Sequence, residues 1–120
     1  MDKSEALKVW NQEIGDKEYS YDFTGRKMKR DDYLVQNQVG WVVSYMRPLS
    51  KGGKNDDGNV ILVHHRTDED KGDQYPEFSL DGISYVVKHD ARDDYYFIEK
   101  IDDDVDEEDD DFYETEVDMK

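Results

Sequence analysis

Ten residues near the carboxyl end of the chain, 102–111, contain nine carboxylates and a single valine. Carboxylates at this density repel one another and cannot be buried without cationic partners, so an extended, solvated segment is expected here. The hydrophobic core must therefore come from the residues that precede it. The sequence then resumes with an alternating stretch, 112–117, that is compatible with a last strand carrying one acidic face.

Aromatic content indicates that the preceding residues fold. The 120-residue chain has nine Tyr, four Phe and two Trp, although 40% of its residues are charged. Aromatic side chains are depleted in disordered chains, and this number suffices for one compact core. We expect a small α+β domain over 1–101, with an N-terminal helix and antiparallel strands, followed by the acidic segment 102–120. The chain has no cysteine, which excludes disulfides and zinc–thiolate sites.

Hydrophobic periodicity predicts the elements of this domain. Residues 3–14 are predicted to form a helix that begins with a capping box of Asp2 and Glu5. Alternation or β-branched and aromatic content predicts strands over 18–23, 41–46, 79–88 and 95–101, with a loop over 52–58. The 79–88 stretch is broken at Asp81-Gly82, and with 95–101 it is compatible with a hairpin or a meander. The apolar run 60–63 is either a strand or the start of a buried helix.

The first predicted strand has a specific expected geometry. Successive side chains of a strand point to opposite faces, so Tyr19, Tyr21 and Phe23 are expected to share one face. The turn that follows is indicated by Thr24, Gly25 and Arg26.

Charge is distributed unevenly along the chain. The net charge is −16, whereas the net charge of a small soluble domain usually has a magnitude of roughly 2–8. Residues 24–54 hold seven basic and two acidic side chains, and 102–120 hold one and twelve. A field of this sign repels phosphates and anionic lipid and attracts cationic surfaces, so no direct nucleic-acid or membrane partner is expected. No apolar signal core or membrane-length run is present, which makes a cytoplasmic location the expectation.

A series of landmarks over 22–73 resembles the core of HNH-type nucleases of the ββα-metal class. In that family the landmarks follow one another in a fixed order. Here they are Thr24-Gly25-Arg26, Asp32-Tyr33, Gly40-Trp41, the loop from Pro48 to Gly53, Asn59, and Lys71-Gly72-Asp73. The resemblance implies a degenerate HNH-like core inside the α+β domain.

The residues that would carry nuclease chemistry differ from the family pattern. The resemblance places the family's Asp-His pair, a metal ligand and the general base, at Ser44 and Tyr45. Serine is a poor ligand for hard cations, and tyrosine, with a pKa near ~10, is a poor base at neutral pH. The later family positions fall on Asn59, His64, Thr67 and Asp68. We expect a catalytically silent fold with no catalytic residues, metal or cofactor, and the possibility of a cation at Asn59 and Asp68 stays open.

Seven basic residues lie where a working enzyme of this class would contact DNA. We favour ion pairing with the excess carboxylates over a residual DNA site. The seven are Arg26, Lys27, Lys29, Arg30, Arg47, Lys51 and Lys54.

A short acidic chain without an active site resembles the bacterial DNA-mimic proteins. That resemblance implies a monomer whose carboxylates replace DNA phosphates on a basic DNA-binding protein, with the histone-like protein HU as the expected partner and the nucleoid as its place of action. Phosphates recur every ~3.4 Å along one DNA strand, and carboxylates at i and i+2 of a β-strand lie about 6.6 Å apart, so strands and loops can approximate a phosphate row. The candidate partner-binding carboxylates are Asp56, Asp57, Asp68, Glu69, Asp70, Asp73, Asp93, Asp94, Asp102, Asp103, Asp104, Asp106, Glu107, Glu108, Asp109, Asp110, Asp111, Glu114 and Glu116.

Two other functions are compatible with the same features. An immunity-type inhibitor of a toxic nuclease would direct the acidity against one basic active site. A residual metal-dependent HNH nuclease would retain cleavage with altered ligands.

Overall fold

In the computed structural model, which describes residues 1–101, the amino-terminal helix α1 spans Lys3–Glu13. The Asp2 carboxylate accepts a hydrogen bond from the Glu5 backbone N–H at 2.8 Å, and the Glu5 carboxylate accepts one from the Asp2 N–H at 3.2 Å. This is the predicted capping box, which satisfies N–H groups that the first helical turn leaves without partners. Ala6 and Trp10 are fully buried, so this face of α1 packs on the rest of the domain.

Within residues 1–101, seven strands follow α1, and their three sheets are all antiparallel. They are β1 (Tyr19–Tyr21), β2 (Lys27–Lys29), β3 (Trp41–Tyr45), β4 (Val60–His64), β5 (Glu77–Leu80), β6 (Ile83–Asp90) and β7 (Tyr95–Ile101). They form the hairpins β1–β2 and β3–β4 and the meander β5–β6–β7. A second helix, α2 (His65–Lys71), follows β4 directly. The α+β class and the helix-plus-antiparallel-strand organisation are confirmed.

The apolar run that periodicity left open is a strand. β4 pairs with β3 over its whole length, from Trp41 opposite His64 to Tyr45 opposite Val60. Helix α2 then begins at the next residue. The chain therefore passes through a hairpin and straight into a helix over residues 41–71.

The first strand is shorter than predicted. β1 ends at Tyr21, because Asp22 donates its N–H to the Arg26 carbonyl at 2.9 Å and closes a turn. Tyr19 and Tyr21 do share the exposed face of β1. Phe23 lies beyond the strand, packed against the apolar cluster of the meander, so its expected place on that face was wrong.

The first apolar cluster joins α1 to both hairpins. It consists of Ala6, Trp10, Met28, Trp41 and Leu62. The Trp10 and Trp41 ring centroids are 5.0 Å apart, and each indole N–H donates to a backbone carbonyl. The two buried rings therefore hold α1 against β3 without leaving an indole N–H unpaired.

The second apolar cluster belongs to the meander. Met46, Phe78, Leu80, Tyr85 and Val87 form it. Met46 follows β3 directly, so this cluster attaches the β3–β4 hairpin to the three-stranded sheet.

Two sequence expectations concern residues that the structure does not cover. The acidic segment 102–120 and the strand predicted over 112–117 lie outside the described residues. Within residues 1–101, no helix is long and apolar enough to cross a membrane.

Replacing Trp10 by alanine is expected to lower the free energy of unfolding by about 3–5 kcal/mol, because it empties a fully buried site in the first cluster. Leu49→Ala is the control, since Leu49 is 51% exposed and its truncation should change stability by less than ~1 kcal/mol. Urea unfolding followed by circular dichroism measures both. Equal losses in the two variants would contradict this description of the core.

Candidate functional site

The loop between β3 and β4 is closed by one buried amide. Asn59 is fully buried; its Oδ1 accepts from the Arg47 N–H at 2.8 Å. Its Nδ2 donates to the carbonyls of Arg47 and Lys54, both at 2.9 Å. Asn59, considered above as a cation ligand together with Asp68, therefore uses its amide to hold the loop, and its role is structural.

Ser44 and Tyr45, at the positions of the family's Asp-His pair, make hydrogen bonds to different parts of the domain. Ser44 Oγ donates to Asp68 Oδ1 at 2.6 Å, which links β3 to α2. Tyr45 donates its hydroxyl to Asn55 Oδ1 at 3.0 Å in the β3–β4 loop. Within residues 1–101, no group of three or more metal-ligating side chains is gathered.

The histidine at the family's later position caps helix α2. His64 Nδ1 accepts from the Arg66 N–H at 3.1 Å, so Nε2 carries the proton and donates to the Gln38 carbonyl at 3.0 Å. Desolvation lowers the pKa of His64, and the hydrogen bond to Gln38 offsets only part of that effect. The ring is a neutral structural element with both nitrogens occupied.

The buried carboxylate of Asp22 joins the β1–β2 turn to the start of α2. Asp22 Oδ1 accepts from the N–H and hydroxyl of Thr24 and from the Arg26 N–H. Its Oδ2 accepts from the His64 N–H at 3.0 Å and the Thr67 hydroxyl at 2.7 Å. Burial raises the pKa of Asp22, but the hydrogen bonds outweigh that effect, and the net result is a lowered pKa.

Within residues 1–101, four of the seven basic side chains from the 24–54 region have a hydrogen-bond or ion-pair partner. Arg26 lies 3.3 Å from Asp70 and 3.5 Å from Asp81. The Arg47 guanidinium donates to the Lys51 carbonyl at 2.8 Å and lies over the Tyr75 ring. The remaining contacts are between Lys29 and Glu18 at 3.9 Å, Arg30 and Asp31 at 4.0 Å, and Arg30 and Asn11 at 3.2 Å. These contacts agree with the ion-pairing interpretation for Arg26, Lys29 and Arg30.

Two acidic loops lie side by side. The Tyr96 N–H donates to the Gly58 carbonyl at 2.7 Å, and a Cβ at Gly58 would stand 2.6 Å from the Asp94 carbonyl. Only glycine permits this approach of the β3–β4 loop to the β6–β7 turn. It brings together four exposed carboxylates, which we call the acidic loop pair: Asp56, Asp57, Asp93 and Asp94.

The charge of the acidic loop pair is modified by two neighbours. His89 Nε2 lies 2.9 Å from Asp94 Oδ1, and this hydrogen bond, together with weaker attraction from Lys54, lowers the pKa of Asp94. A further carboxylate, Asp90, accepts from the N–H groups of Arg92 and Asp93 and shapes the turn. Sequence reasoning missed Asp90, although its place in the Asp90–Asp94 run was a usable signal.

The other candidate carboxylates are on or just after α2. Glu69 and Asp73 are exposed, whereas Asp68 is half-buried against Ser44 and Asp70 is paired with Arg26. The structure thus brings the first four loop acids together and gives two of the α2 acids internal partners. The candidates at 102–111, Glu114 and Glu116 lie outside the described residues.

No family model matches the chain, and no curated protein or solved structure matches it.

Asp22→Asn is expected to lower the free energy of unfolding at pH 7 by about 2–4 kcal/mol, because an amide cannot accept all the hydrogen bonds that the buried carboxylate receives. A carboxylate with a lowered pKa stabilises the fold above its unfolded pKa, near 3.8, and this contribution is lost as the pH falls through the folded pKa. The difference between wild type and variant should therefore shrink between pH 7 and pH 3.

Urea unfolding at both pH values checks the Asp22 prediction. Asp16→Asn is the matched control, since Asp16 is exposed, and its effect should stay within ~0.5 kcal/mol. A difference for Asp22→Asn that is the same at the two pH values would contradict the assigned role.

Proposed function

We propose that this protein is a DNA-mimic binding module whose carboxylates occupy the DNA-binding site of a basic protein, with HU-type histone-like proteins as the intended partner. Such a partner recognises duplex DNA largely through phosphates. A surface of closely set carboxylates offers the same sign of charge on a folded support. Because the partner is the DNA-bound nucleoid protein, the module would act at the nucleoid without contacting DNA itself.

The acidic loop pair is the observation that carries this proposal. Two loops from different sheets are held together at Gly58, so the segments that carry these exposed carboxylates are neighbours. Arg26 and Arg47, which would otherwise oppose this field, are engaged with protein groups. The acidic segment 102–111 adds nine carboxylates in sequence directly after β7.

The strand–helix junction supports a binding function over a catalytic one. Residues 41–71 follow the order strand, loop, strand, helix, which is the order that the nuclease resemblance implies. At that junction, however, Ser44 donates to Asp68, while Asn59 and His64 use their polar atoms in loop closure and helix capping. A base and a ligand set for metal-assisted hydrolysis would need groups that this donor set does not offer.

The direct test measures binding of the full chain to purified HU. Fluorescence anisotropy should detect a complex whose affinity falls steeply as salt rises from about 50 to 300 mM. Unlabelled duplex DNA should displace the protein from HU. A complex that forms without competition from DNA would contradict the proposal.

Neutralising the acidic loop pair in a variant carrying Asp→Asn at positions 56, 57, 93 and 94 should weaken HU binding about tenfold. Exposed charges contribute roughly 0.2–1 kcal/mol each, and 1.4 kcal/mol corresponds to a factor of ten. The matched control removes four exposed charges elsewhere, at Glu13, Asp16, Asp31 and Glu77. Equal weakening by the two variants would mean that net charge alone, and not the loop pair, governs binding.

The residual-nuclease alternative predicts plasmid cleavage in the presence of Mg²⁺, Mn²⁺ or Ni²⁺. We expect no cleavage above the background of a parallel preparation of Asp68→Ala. Cleavage by the wild type that Asp68→Ala abolishes would overturn the binding interpretation. The immunity-type alternative is tested in the same series, because it predicts tight binding to a nuclease and none to HU.

A further inference from the structure

The outer face of the β1–β2 hairpin combines aromatic and basic side chains. In its register, Tyr19 is opposite Lys29 and Tyr21 is opposite Lys27. Met28, between the two lysines, is buried in the first apolar cluster, so the lysines and tyrosines point the other way. We call these four residues the lysine–tyrosine face.

Positive charge is concentrated on this face. Lys27 Nζ lies 4.5 Å and Lys29 Nζ 5.9 Å from the centroid of the same Tyr19 ring. Glu18 stands 3.9 Å from Lys29, and within residues 1–101 no carboxylate forms an ion pair with Lys27. Tyr21 is 62% exposed beside them. Two like charges on one face of a strand repel each other, and an anion bound between them relieves that repulsion.

The inner side of the β1–β2 hairpin lies close to β7. Tyr21 and the buried Met28 line a groove of about 360 Å³ together with Phe97 and Ile98 of β7. Thr24, in the turn of the hairpin, lines a second cavity of about 300 Å³ with Lys100. The next residue of β7, Ile101, is followed immediately by the acidic segment 102–111.

The acidic segment is long enough to reach this face. Ten extended residues span up to roughly 33–36 Å. The hairpin turn at Thr24 lines one cavity with Lys100, and the three-residue strand β1 on the other side of that turn is only about 10 Å long. The tether also keeps the local concentration of the segment high, in the millimolar range for a short linker. The nine carboxylates that follow β7 in the sequence are complementary in charge to the lysine pair, and they belong to the same chain, whereas a separate acidic partner would have to arrive by diffusion.

We propose that the acidic segment 102–111 docks on the lysine–tyrosine face of its own chain. Exposed ion pairs are individually weak, so the contact is reversible and sensitive to salt. A basic partner then has to compete with Lys27 and Lys29 for the segment. A surface that presents more cations than the hairpin displaces the segment, while isolated lysines on other proteins do not. The docking contact is independent of which basic protein the acidic loop pair binds.

Paramagnetic relaxation tests this contact on the full chain. Because the sequence contains no cysteine, Asp106→Cys provides a single site for a nitroxide label. At about 20 mM salt, the amide signals of 19–21 and 27–29 should lose at least half of their intensity, and about 500 mM salt should restore them. The amides of α1 residues around Lys8 serve as the reference.

Two variants separate docking from mere proximity. Lys27→Gln with Lys29→Gln should restore the hairpin signals at low salt, and Lys8→Gln with Lys88→Gln, which removes the same charge elsewhere, should not. Broadening that is confined to the end of β7, or that is unchanged in the Lys27/Lys29 variant, would overturn the proposal. Broadening of an unlabelled ¹⁵N chain mixed with a spin-labelled ¹⁴N chain would also overturn it, because the segment would then bind a second copy. A failure to bind HU leaves all of these outcomes unaffected.

Discussion

The buried carboxylate of Asp22 is the interaction on which the arrangement of the other parts depends. It receives hydrogen bonds from both sides of the β1–β2 turn and from the junction between β4 and α2. Hydrogen bonds to a buried carboxylate are stronger than those between neutral groups, and leaving such a charge without them is costly. One side chain therefore holds the β1–β2 hairpin against the β3–β4 hairpin and helix α2, which carry Ser44 and Asp68.

The surface charge follows from how that framework distributes the basic residues. The Arg26 guanidinium donates a hydrogen bond to the Thr67 hydroxyl and forms an ion pair with Asp70, so its charge is used within the protein. Arg47 is held over Tyr75 by the β3–β4 loop that Asn59 closes. In the same loop, Gly58 permits the close approach of the β6–β7 turn and its carboxylates. The charges of Arg26 and Arg47 are thus used within the fold, whereas Lys27 and Lys29 stay on the outer face of the β1–β2 hairpin. The carboxylates of the acidic loop pair are left exposed at their loops.

The sequence was sufficient for features that depend on local patterns. The capping box of Asp2 and Glu5, the β-branched strand β3 and the meander after residue 77 all follow from spacing and propensity. The hydrogen bonds from His64 and Thr67 to Asp22 and the contact at Gly58 were not predictable, because each joins residues about 36 to 45 positions apart in the chain. The same limit applies to Asn59, because the sequence alone does not distinguish an asparagine that closes a loop from one that binds a metal. Composition predicted an acidic surface but could not say which acids share it.

Comparison of hydrogen-exchange footprints on the partner tests the central claim most directly. HU would be measured alone, with duplex DNA and with the full chain under the same salt conditions. Mimicry predicts that this protein and DNA protect the same HU segments, and that both protections fade together as salt increases. Protection of a different HU surface, or of the shared segments without any dependence on salt, would contradict the account.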